Sequence, residues 1–220
     1  MNLEQARFNM VEQQVRPWSV LDDTVLRTME SIPRDVFAPD SMKSLAYADI
    51  ELPIGNGESM MFPRVEGRLL QELELDINDE CLEVGTGSGF LTACMATMSK
   101  HVDSIDIYDD FLQRASNKLA EVNISNITLE NKDALTALNL QSTANKKYDA
   151  IAVTGSLPEY LPLFEDLLKP NGRLFIIVGL KQTMHAMKVT KNGSQFDRVT
   201  LFETEQKELV GAEKKSAFSF

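Results

Sequence analysis

The stretch Glu83-Val84-Gly85-Thr86-Gly87-Ser88-Gly89 decides the fold class of this chain, because it places three alternate glycines directly after a short apolar run. Cys81 to Val84 is typical of a buried β-strand, and Ser88 to Met98 is typical of a helix. Glycines at a strand-to-helix turn let the backbone bend sharply and approach a ligand closely. A dinucleotide-binding motif would need glycine three residues after Gly87, where this chain has Phe90, so the pattern disfavours NAD.

Short β runs and helical stretches alternate beyond this turn. The β runs are Val102 to Ile107, Ile127 to Glu130, Tyr148 to Thr154 and Arg173 to Val178, and the helical stretches are Asp110 to Val122 and Leu157 to Leu168. This order predicts a mostly parallel sheet with helices on both faces and a ligand site at the carboxyl ends of its strands. Met184 to Thr190 and Phe196 to Glu203, joined through Lys191-Asn192-Gly193, predict an antiparallel hairpin at the sheet edge.

The N-terminal part has a different pattern. Leu3 to Val15 and Leu21 to Ile32 carry apolar residues at helical spacing, and Pro33 ends the second of these helices. Leu52 to Pro63 is rich in glycine, proline and methionine, which predicts a loop with an apolar lining that forms a lid or wall. We therefore expect one compact unit, with residues 1–78 as a helical extension and active-site loop and residues 79–220 as the ligand-binding domain.

Composition narrows the classes of function. The chain has 220 residues, 43% of them hydrophobic, and a formal charge of −11, which disfavours nucleic acid as a partner. No apolar stretch approaches the length of a membrane span, and Cys81 and Cys94 lie in apolar patterns typical of buried free thiols. We expect a cytoplasmic protein with no membrane partner. The sequence has no metal-ligand cluster, so no metal site is predicted.

The glycine turn, in the form acid-x-Gly-x-Gly-x-Gly, resembles motif I of class I methyltransferases. The fold this implies is Rossmann-like, and the cofactor is S-adenosyl-L-methionine, whose amino-acid and ribose parts would contact Glu83, Gly85, Thr86 and Gly87. A cationic sulfonium is compatible with an acidic chain.

Two further acids stand at the ends of the next two strands. Asp106 lies 21 residues beyond Gly85, where its carboxylate can accept hydrogen bonds from ribose hydroxyls, although a helix cap or solvated turn is the alternative. Asp133 stands where the resemblance implies an acceptor for the adenine amino group, and its alternative is an N-cap for a helix over Ala134 to Leu138. Ile107 and Ala134, which follow these acids, are predicted cofactor contacts as well.

Several other stretches are similar to protein-L-isoaspartate O-methyltransferases. They extend from about residue 10 to residue 180 and comprise Glu12 to Val15, Leu21 to Leu26, Ile32 to Pro39, Ala46 to Asp49, Leu52 to Gly57, Tyr148 to Thr154 and Leu168 to Leu174. The resemblance implies methyl transfer from S-adenosylmethionine to the carboxylate of an isoaspartyl residue in a peptide or protein, which starts repair through a succinimide. A carboxylate with a pKa of ~4 is already ionised at neutral pH, so this chemistry needs no general base.

The loop Gly57-Glu58-Ser59-Met60-Met61-Phe62-Pro63 departs from that family, which has Gly-Gln-Thr-Ile-Ser-x-Pro. Met61 replaces the serine that lies beside the methyl group, and a thioether cannot donate a hydrogen bond. Glu58 replaces the glutamine and, if ionised and near, would repel an acceptor carboxylate. Ser59 is the candidate catalytic hydroxyl, with a loop cap as its alternative. Met60, Met61 and Phe62 form either a wall around the acceptor or part of the core.

The remaining candidates leave alternatives open. Arg64 could hold a carboxylate or form a surface salt bridge, His101 is expected to cap the first helix after the glycine turn, and His185 is expected in the hairpin. The segment Lys207 to Phe220, with Lys214-Lys215, Phe218 and Phe220, predicts either an added strand or a segment that docks on a neighbour. Besides isoaspartyl methylation, the sequence allows a methyltransferase for another acceptor or a non-catalytic cofactor-binding protein. It leaves the oligomeric state open.

Overall fold

Two groups of elements build the protein in the computed structural model, which describes residues 2–136, 146–180 and 183–212. The helices are α1 Leu3–Met10, α2 Asp23–Ser31, α3 Arg34–Phe37, α4 Pro63–Leu73, α5 Phe90–Met98 and α6 Asp109–Glu121. The strands are β1 Leu52–Gly55, β2 Glu58–Met60, β3 Glu80–Val84, β4 His101–Asp106, β5 Ile127–Asn131, β6 Tyr148–Leu157, β7 Leu168–Val178, β8 His185–Asn192 and β9 Gln195–Glu203.

A seven-stranded sheet forms the centre of the molecule, with the order β5-β4-β3-β6-β7-β8-β9. The strands from β3 to β7 pair in parallel. β8 and β9 pair antiparallel through a turn at Gly193, whose φ of 62° suits glycine. This topology confirms the α/β, Rossmann-like fold with a C-terminal hairpin and an N-terminal helical extension.

Each face of the sheet has its own hydrophobic core. Along β6, Ala150 and Ala152 belong to one core and Ile151 and Val153 to the other, because successive side chains of a strand point to opposite faces. Buried residues from all six helices join the first core. The second core is covered by a 3₁₀ helix over Pro162–Leu167 and by the turn that begins at Ala134. Cys81 and Cys94 are buried free thiols, as expected.

Local expectations differ from the structure at three places. Leu157 to Leu168 is not an α-helix, because β6 continues to Leu157 and Pro162 lacks the N–H that a helix interior requires. Leu52 to Pro63 contains the paired strands β1 and β2 rather than only loop. The first helix changes at Val11–Val15 into a π-helical turn. Among the described residues, none of the helices has the length and apolar character that crossing a bilayer requires.

A buried ion pair joins two helices of the N-terminal part and lies against α5 of the sheet domain. The guanidinium of Arg34, which is fully buried, pairs with the carboxylate of Glu66 on α4. It also donates a hydrogen bond of 2.7 Å to the carbonyl of Met61 and lies 4.8 Å from the centre of the Phe90 ring on α5. One side chain therefore fixes the positions of α3, α4, α5 and the segment after β2.

Replacing Arg34 by methionine should lower the free energy of unfolding by about 3–5 kcal/mol, because Glu66 would keep a buried carboxylate without its partner. Urea unfolding followed by circular dichroism measures this change. Arg16→Met is the control, since Arg16 pairs with Glu12 at an exposed site where solvent screens the interaction. Equal urea midpoints for the two variants would show that the buried pair does not hold these elements together.

Candidate functional site

A cleft lies at the carboxyl ends of the parallel strands, where ligands bind in open α/β sheets. We call it the main cleft. The structure brings together around it all nine residues that the sequence analysis selected, namely Ser59, Glu83, Gly85, Thr86, Gly87, Asp106, Ile107, Asp133 and Ala134. Their individual contacts with a ligand stay predictions.

The glycine turn between β3 and α5 forms the floor of the main cleft. Gly85 has a φ of 100° and donates a hydrogen bond of 2.8 Å to the carbonyl of Ile105 on β4. A Cβ atom at Gly85 would lie 2.2 Å from Oγ1 of Thr154, and that hydroxyl bonds to the Val84 and Gly85 carbonyls. Gly87, with a φ of 52°, also has left-handed backbone geometry. The turn is therefore open toward the cleft and closely packed beneath.

Glu83 lies fully buried under this turn. Its Oε2 accepts hydrogen bonds from Ser104, the residue that pairs with Glu83 on the neighbouring strand β4, and from Thr92 on α5. Burial raises the pKa of Glu83 to about 8, although these two donors lower it. Oε1 has no hydrogen-bond partner among the described residues. Burial also raises the pKa of Glu66, another residue of the cleft wall, to about 7, although the adjacent Arg34 lowers it.

Asp106 has both a structural and a potential ligand-binding role. Its Oδ2 accepts a hydrogen bond of 2.8 Å from the Gly87 N–H, and its Oδ1 accepts one of 2.9 Å from the Tyr108 N–H just before α6. Burial raises its pKa, while these backbone donors lower it. A carboxylate offers about four acceptor positions, so two hydrogen bonds leave capacity for ribose hydroxyls.

Asp133 makes the expected capping contact and also lines the main cleft. Its Oδ1 accepts a hydrogen bond of 2.9 Å from the Leu135 N–H, which is the geometry of a cap at the start of a helical turn. Asp133 and Ala134 also line the main cleft. Of the helix predicted over Ala134 to Leu138, positions 137 and 138 lie outside the described residues.

The acceptor loop, which we define as residues 57–62, separates the main cleft from a second cavity. This side cavity is lined among others by Glu51, Phe62, Thr183 and Glu205. Ser59 lines both spaces, and its hydroxyl makes no hydrogen bond to another residue of the described ranges. Its placement on β2 does not support a loop cap.

Met60 and Met61 combine the two roles that the sequence analysis held as alternatives. They are 4% and 5% exposed, belong to the first hydrophobic core and also line the main cleft. The Met61 side chain is therefore a wall, and its carbonyl is held by Arg34. Phe62 lies against the side cavity, under the guanidinium of Arg64 at 4.1 Å from the ring centre.

Glu58, which would repel an acceptor carboxylate if ionised and near, is paired with a cation in the structure. Its Oε1 lies 2.6 Å from the ammonium nitrogen of Lys207, which also donates a hydrogen bond of 2.8 Å to the Gly57 carbonyl. Lys207 follows the hairpin and is 149 residues away in the sequence. This ion pair offsets the repulsion that Glu58 alone would exert on an acceptor carboxylate.

Residues 206–210 form a wall of the main cleft that the sequence analysis did not select. They lie beside β6, where the Ser156 N–H donates to the Lys207 carbonyl and the Leu209 N–H donates to the Ser156 carbonyl. This supports the added-strand alternative for the start of the segment. No local sequence motif predicts that this segment lines the cleft, because its contacts depend on the sheet. Lys214-Lys215, Phe218 and Phe220 lie outside the described residues.

The other candidate side chains have structural roles. Arg64 pairs with Asp49, in agreement with the salt-bridge alternative. His101 does not cap a helix: it begins β4, and its ring bonds to Thr128 and lies 3.2 Å from Asp103. His185 begins strand β8 of the hairpin, as expected. Within the described ranges, no three His, Cys, Asp or Glu side chains are grouped as metal ligands.

Comparison with known proteins identifies the family. Residues 5–209 match the family model described as protein-L-isoaspartate(D-aspartate) O-methyltransferase. The chain is 35% identical to the protein-L-isoaspartate O-methyltransferase of Petrotoga mobilis over 192 residues, which cover 87% of this chain and 88% of that protein. It is 30% identical to the enzyme of the same name from Aliivibrio fischeri, over 94% of this chain and 98% of that protein.

The fold agrees with this assignment. A Plasmodium falciparum structure described as a protein-L-isoaspartate O-methyltransferase in complex with S-adenosyl-L-homocysteine superposes with a TM-score of 0.81 at 22% identity, over 95% of this chain and 98% of that one. The family expected from the sequence is confirmed: the chain belongs to the protein-L-isoaspartate(D-aspartate) O-methyltransferase family.

Proposed function

We propose that this S-adenosylmethionine-dependent O-methyltransferase methylates the carboxylate of isoaspartyl residues in damaged proteins and peptides, and that Ser59 orients that carboxylate. The observation that carries this proposal is the position of Ser59. Its hydroxyl lies on the boundary between the main cleft and the side cavity, without a partner among the described residues. A hydroxyl at such a boundary can donate to an anion that enters from one side while the cofactor occupies the other.

The residues of the main cleft fit S-adenosylmethionine. Gly85 and Gly87 keep the floor free of side chains, and Asp106 retains acceptor capacity for ribose hydroxyls. The unpaired Oε1 of Glu83 offers a buried acceptor for a cationic group. We assign Thr86, Ile107, Asp133 and Ala134 to the same cofactor site, since they complete its wall.

When bound, S-adenosylmethionine supplies a methyl group that leaves its sulfonium sulfur for a carboxylate oxygen, so that the sulfur becomes a neutral thioether and the product is a methyl ester. The carboxylate reacts in its ionised form, so the chain needs no base for this step. Its residues contribute alignment and water exclusion. Ser59 orients the acceptor, and Met60 and Met61 form an apolar wall at the boundary.

The proposed place of action is the cytoplasm. Two buried free thiols support it, because reduced cysteines are the rule in that compartment. The natural acceptor is a protein or peptide with an accessible isoaspartyl residue. Met61, which replaces the family serine, is the reason to consider a different acceptor. The following assay decides between an isoaspartyl acceptor and another one.

With a labelled cofactor, an isoaspartyl peptide should yield base-labile methyl ester, and the matched aspartyl peptide should yield none. Ser59→Ala should lower kcat/KM for the isoaspartyl peptide by roughly 10- to 100-fold, the range for losing a hydrogen bond to a charged group. Ser41→Ala, at an exposed position outside both cavities, is the matched control. No ester from wild-type protein that binds the cofactor would refute isoaspartyl methylation and favour another acceptor.

Gly85→Ala should weaken S-adenosylmethionine binding by at least about 10-fold, because the new Cβ would collide with Thr154 in a left-handed backbone conformation. Gly193→Ala is the control, because Gly193 also has a positive φ, of 62°, but has no atom within 4 Å of the added Cβ. Calorimetric titration of both variants measures the effect. If Gly85→Ala binds the cofactor as tightly as Gly193→Ala, the turn is not part of the cofactor site.

Binding of S-adenosylmethionine should strengthen as the pH rises from 6 to 8. The raised pKa of about 8 keeps Glu83 protonated at the lower pH, and a cation favours the ionised form. The affinity rises by at most about 10-fold per pH unit, which is the limit when binding is coupled to the release of one proton. Glu83→Gln should reduce this dependence, and the part that is left belongs to Glu66, whose pKa of about 7 lies in the same range. Parallel profiles for wild type and variant would exclude Glu83 as the group responsible.

A further inference from the structure

We propose that the ammonium group of Lys207 binds the carboxylate of the acceptor, and that the side cavity is the acceptor site from which this carboxylate reaches the methyl group. The inference rests on the proposed function, which it extends by naming the group that selects an anionic acceptor. It concerns a residue after the hairpin, in a segment without a recognisable sequence motif.

Lys207 lies at the boundary where an acceptor and a cofactor would meet. Only Ser59, Gln206 and Lys207 among the described residues line both the main cleft and the side cavity. A methyl transfer requires the acceptor oxygen to face the methyl carbon, so the acceptor must bind along this shared boundary. Ser59 and Gln206 are neutral, whereas Lys207 supplies a positive charge there.

The ammonium of Lys207 is held in place but retains a free donor. An ammonium group has three N–H donors, and its hydrogen bonds to the Gly57 carbonyl and to Glu58 use two of them. Gly57 allows this approach: a Cβ there would lie 3.3 Å from the Lys207 nitrogen. The side chain is 50% exposed, so a solute can reach the third donor.

A lysine that bridges two carboxylates already occurs elsewhere in this protein. The Lys169 ammonium lies 2.7 Å from a carboxylate oxygen of Asp149 and 3.2 Å from one of Glu80. An acceptor carboxylate at Lys207 would reproduce that arrangement, with Glu58 as the second carboxylate. The Glu58 ion pair is therefore compatible with acceptor binding and orients the ammonium for it.

The charges around the side cavity direct an anion to this one position. Lys207 is the one cationic residue among the described residues that line the cavity, and Glu51 and Glu205 also line it. Burial raises the pKa of Glu51, and the negative charge of Glu205 raises it further. Among the described residues that line the cavity, this pair repels an acceptor carboxylate and Lys207 attracts it.

The test compares an isoaspartyl peptide with its neutral isosteric analogue, the isoasparaginyl peptide, in protein saturated with S-adenosyl-L-homocysteine. Calorimetry then measures binding without turnover. Wild type should bind the isoaspartyl peptide at least about 10-fold more tightly, and Lys207→Gln should remove this preference while the affinity for S-adenosyl-L-homocysteine stays within about 2-fold. Lys207→Arg, which keeps the charge, should restore part of the preference.

Lys43→Gln is the matched control, because Lys43 is also paired with a carboxylate and has 48% of its side chain exposed, but lies outside both cavities. If Lys207 acts only by neutralising Glu58, the double variant Glu58→Gln/Lys207→Gln should keep the wild-type preference for the isoaspartyl peptide, and that result would overturn the proposal. In turnover assays, the same variant should raise KM for the isoaspartyl peptide more than it lowers kcat.

The outcomes separate this inference from the proposed function. If wild type methylates the isoaspartyl peptide and Lys207→Gln keeps the charge preference, isoaspartyl methylation stands and the assignment of Lys207 falls. If wild type makes no ester but shows a charge preference that depends on Lys207, the carboxylate site stands and the isoaspartyl assignment falls. A wild type with no preference between the peptides overturns the assignment of Lys207.

Discussion

The close contact between the Gly85 backbone and Thr154 is the constraint on which the rest of the structure depends. It exists because position 85 has no side chain, and it brings the end of β3 against β6 while the Gly85 N–H bonds to β4. Three strands are therefore joined where the chain turns into α5. The same turn aims the Gly87 N–H at Asp106, so that the floor of the main cleft and one of its acids are fixed by the backbone.

The buried Arg34 guanidinium has a comparable role for the acceptor side. Its hydrogen bond to the Met61 carbonyl fixes the end of the acceptor loop, and its ion pair with Glu66 connects that loop to α4. A charge without access to water is stable only where its partners are fixed in place. The loop that departs most from the family pattern is thus anchored through its backbone, which leaves its side chains free to vary.

The sequence predicted the parts of this structure that local patterns encode. The βαβ order, the hairpin and the acids at the strand ends follow from periodicity and from the glycine turn. Helix α4 was not predicted, although its sequence pattern is helical. Pro63 begins it, and Val65, Leu69, Leu70 and Leu73 recur at helical spacing. The segment with Lys207 had no such signal, because its position beside Ser156 arises only when the sheet is complete. The boundary at residue 78 stays a prediction.

Glu58 shows why a substitution in a binding loop has to be interpreted in the folded structure. Considered alone, a carboxylate in place of glutamine opposes an anionic acceptor. In the fold Glu58 pairs with Lys207, and the pair places an ammonium group at the boundary that we propose for the acceptor. The two reactants have opposite charges, and the protein separates their environments accordingly. Glu83, Asp106 and Asp133 line the main cleft, which we propose as the cofactor site, while Lys207, next to Ser59, is the single cationic residue among the described residues that line the side cavity. An acidic protein of this kind can bind an anionic acceptor because attraction acts at one point, over a few ångströms, and solvent screens the remaining charge.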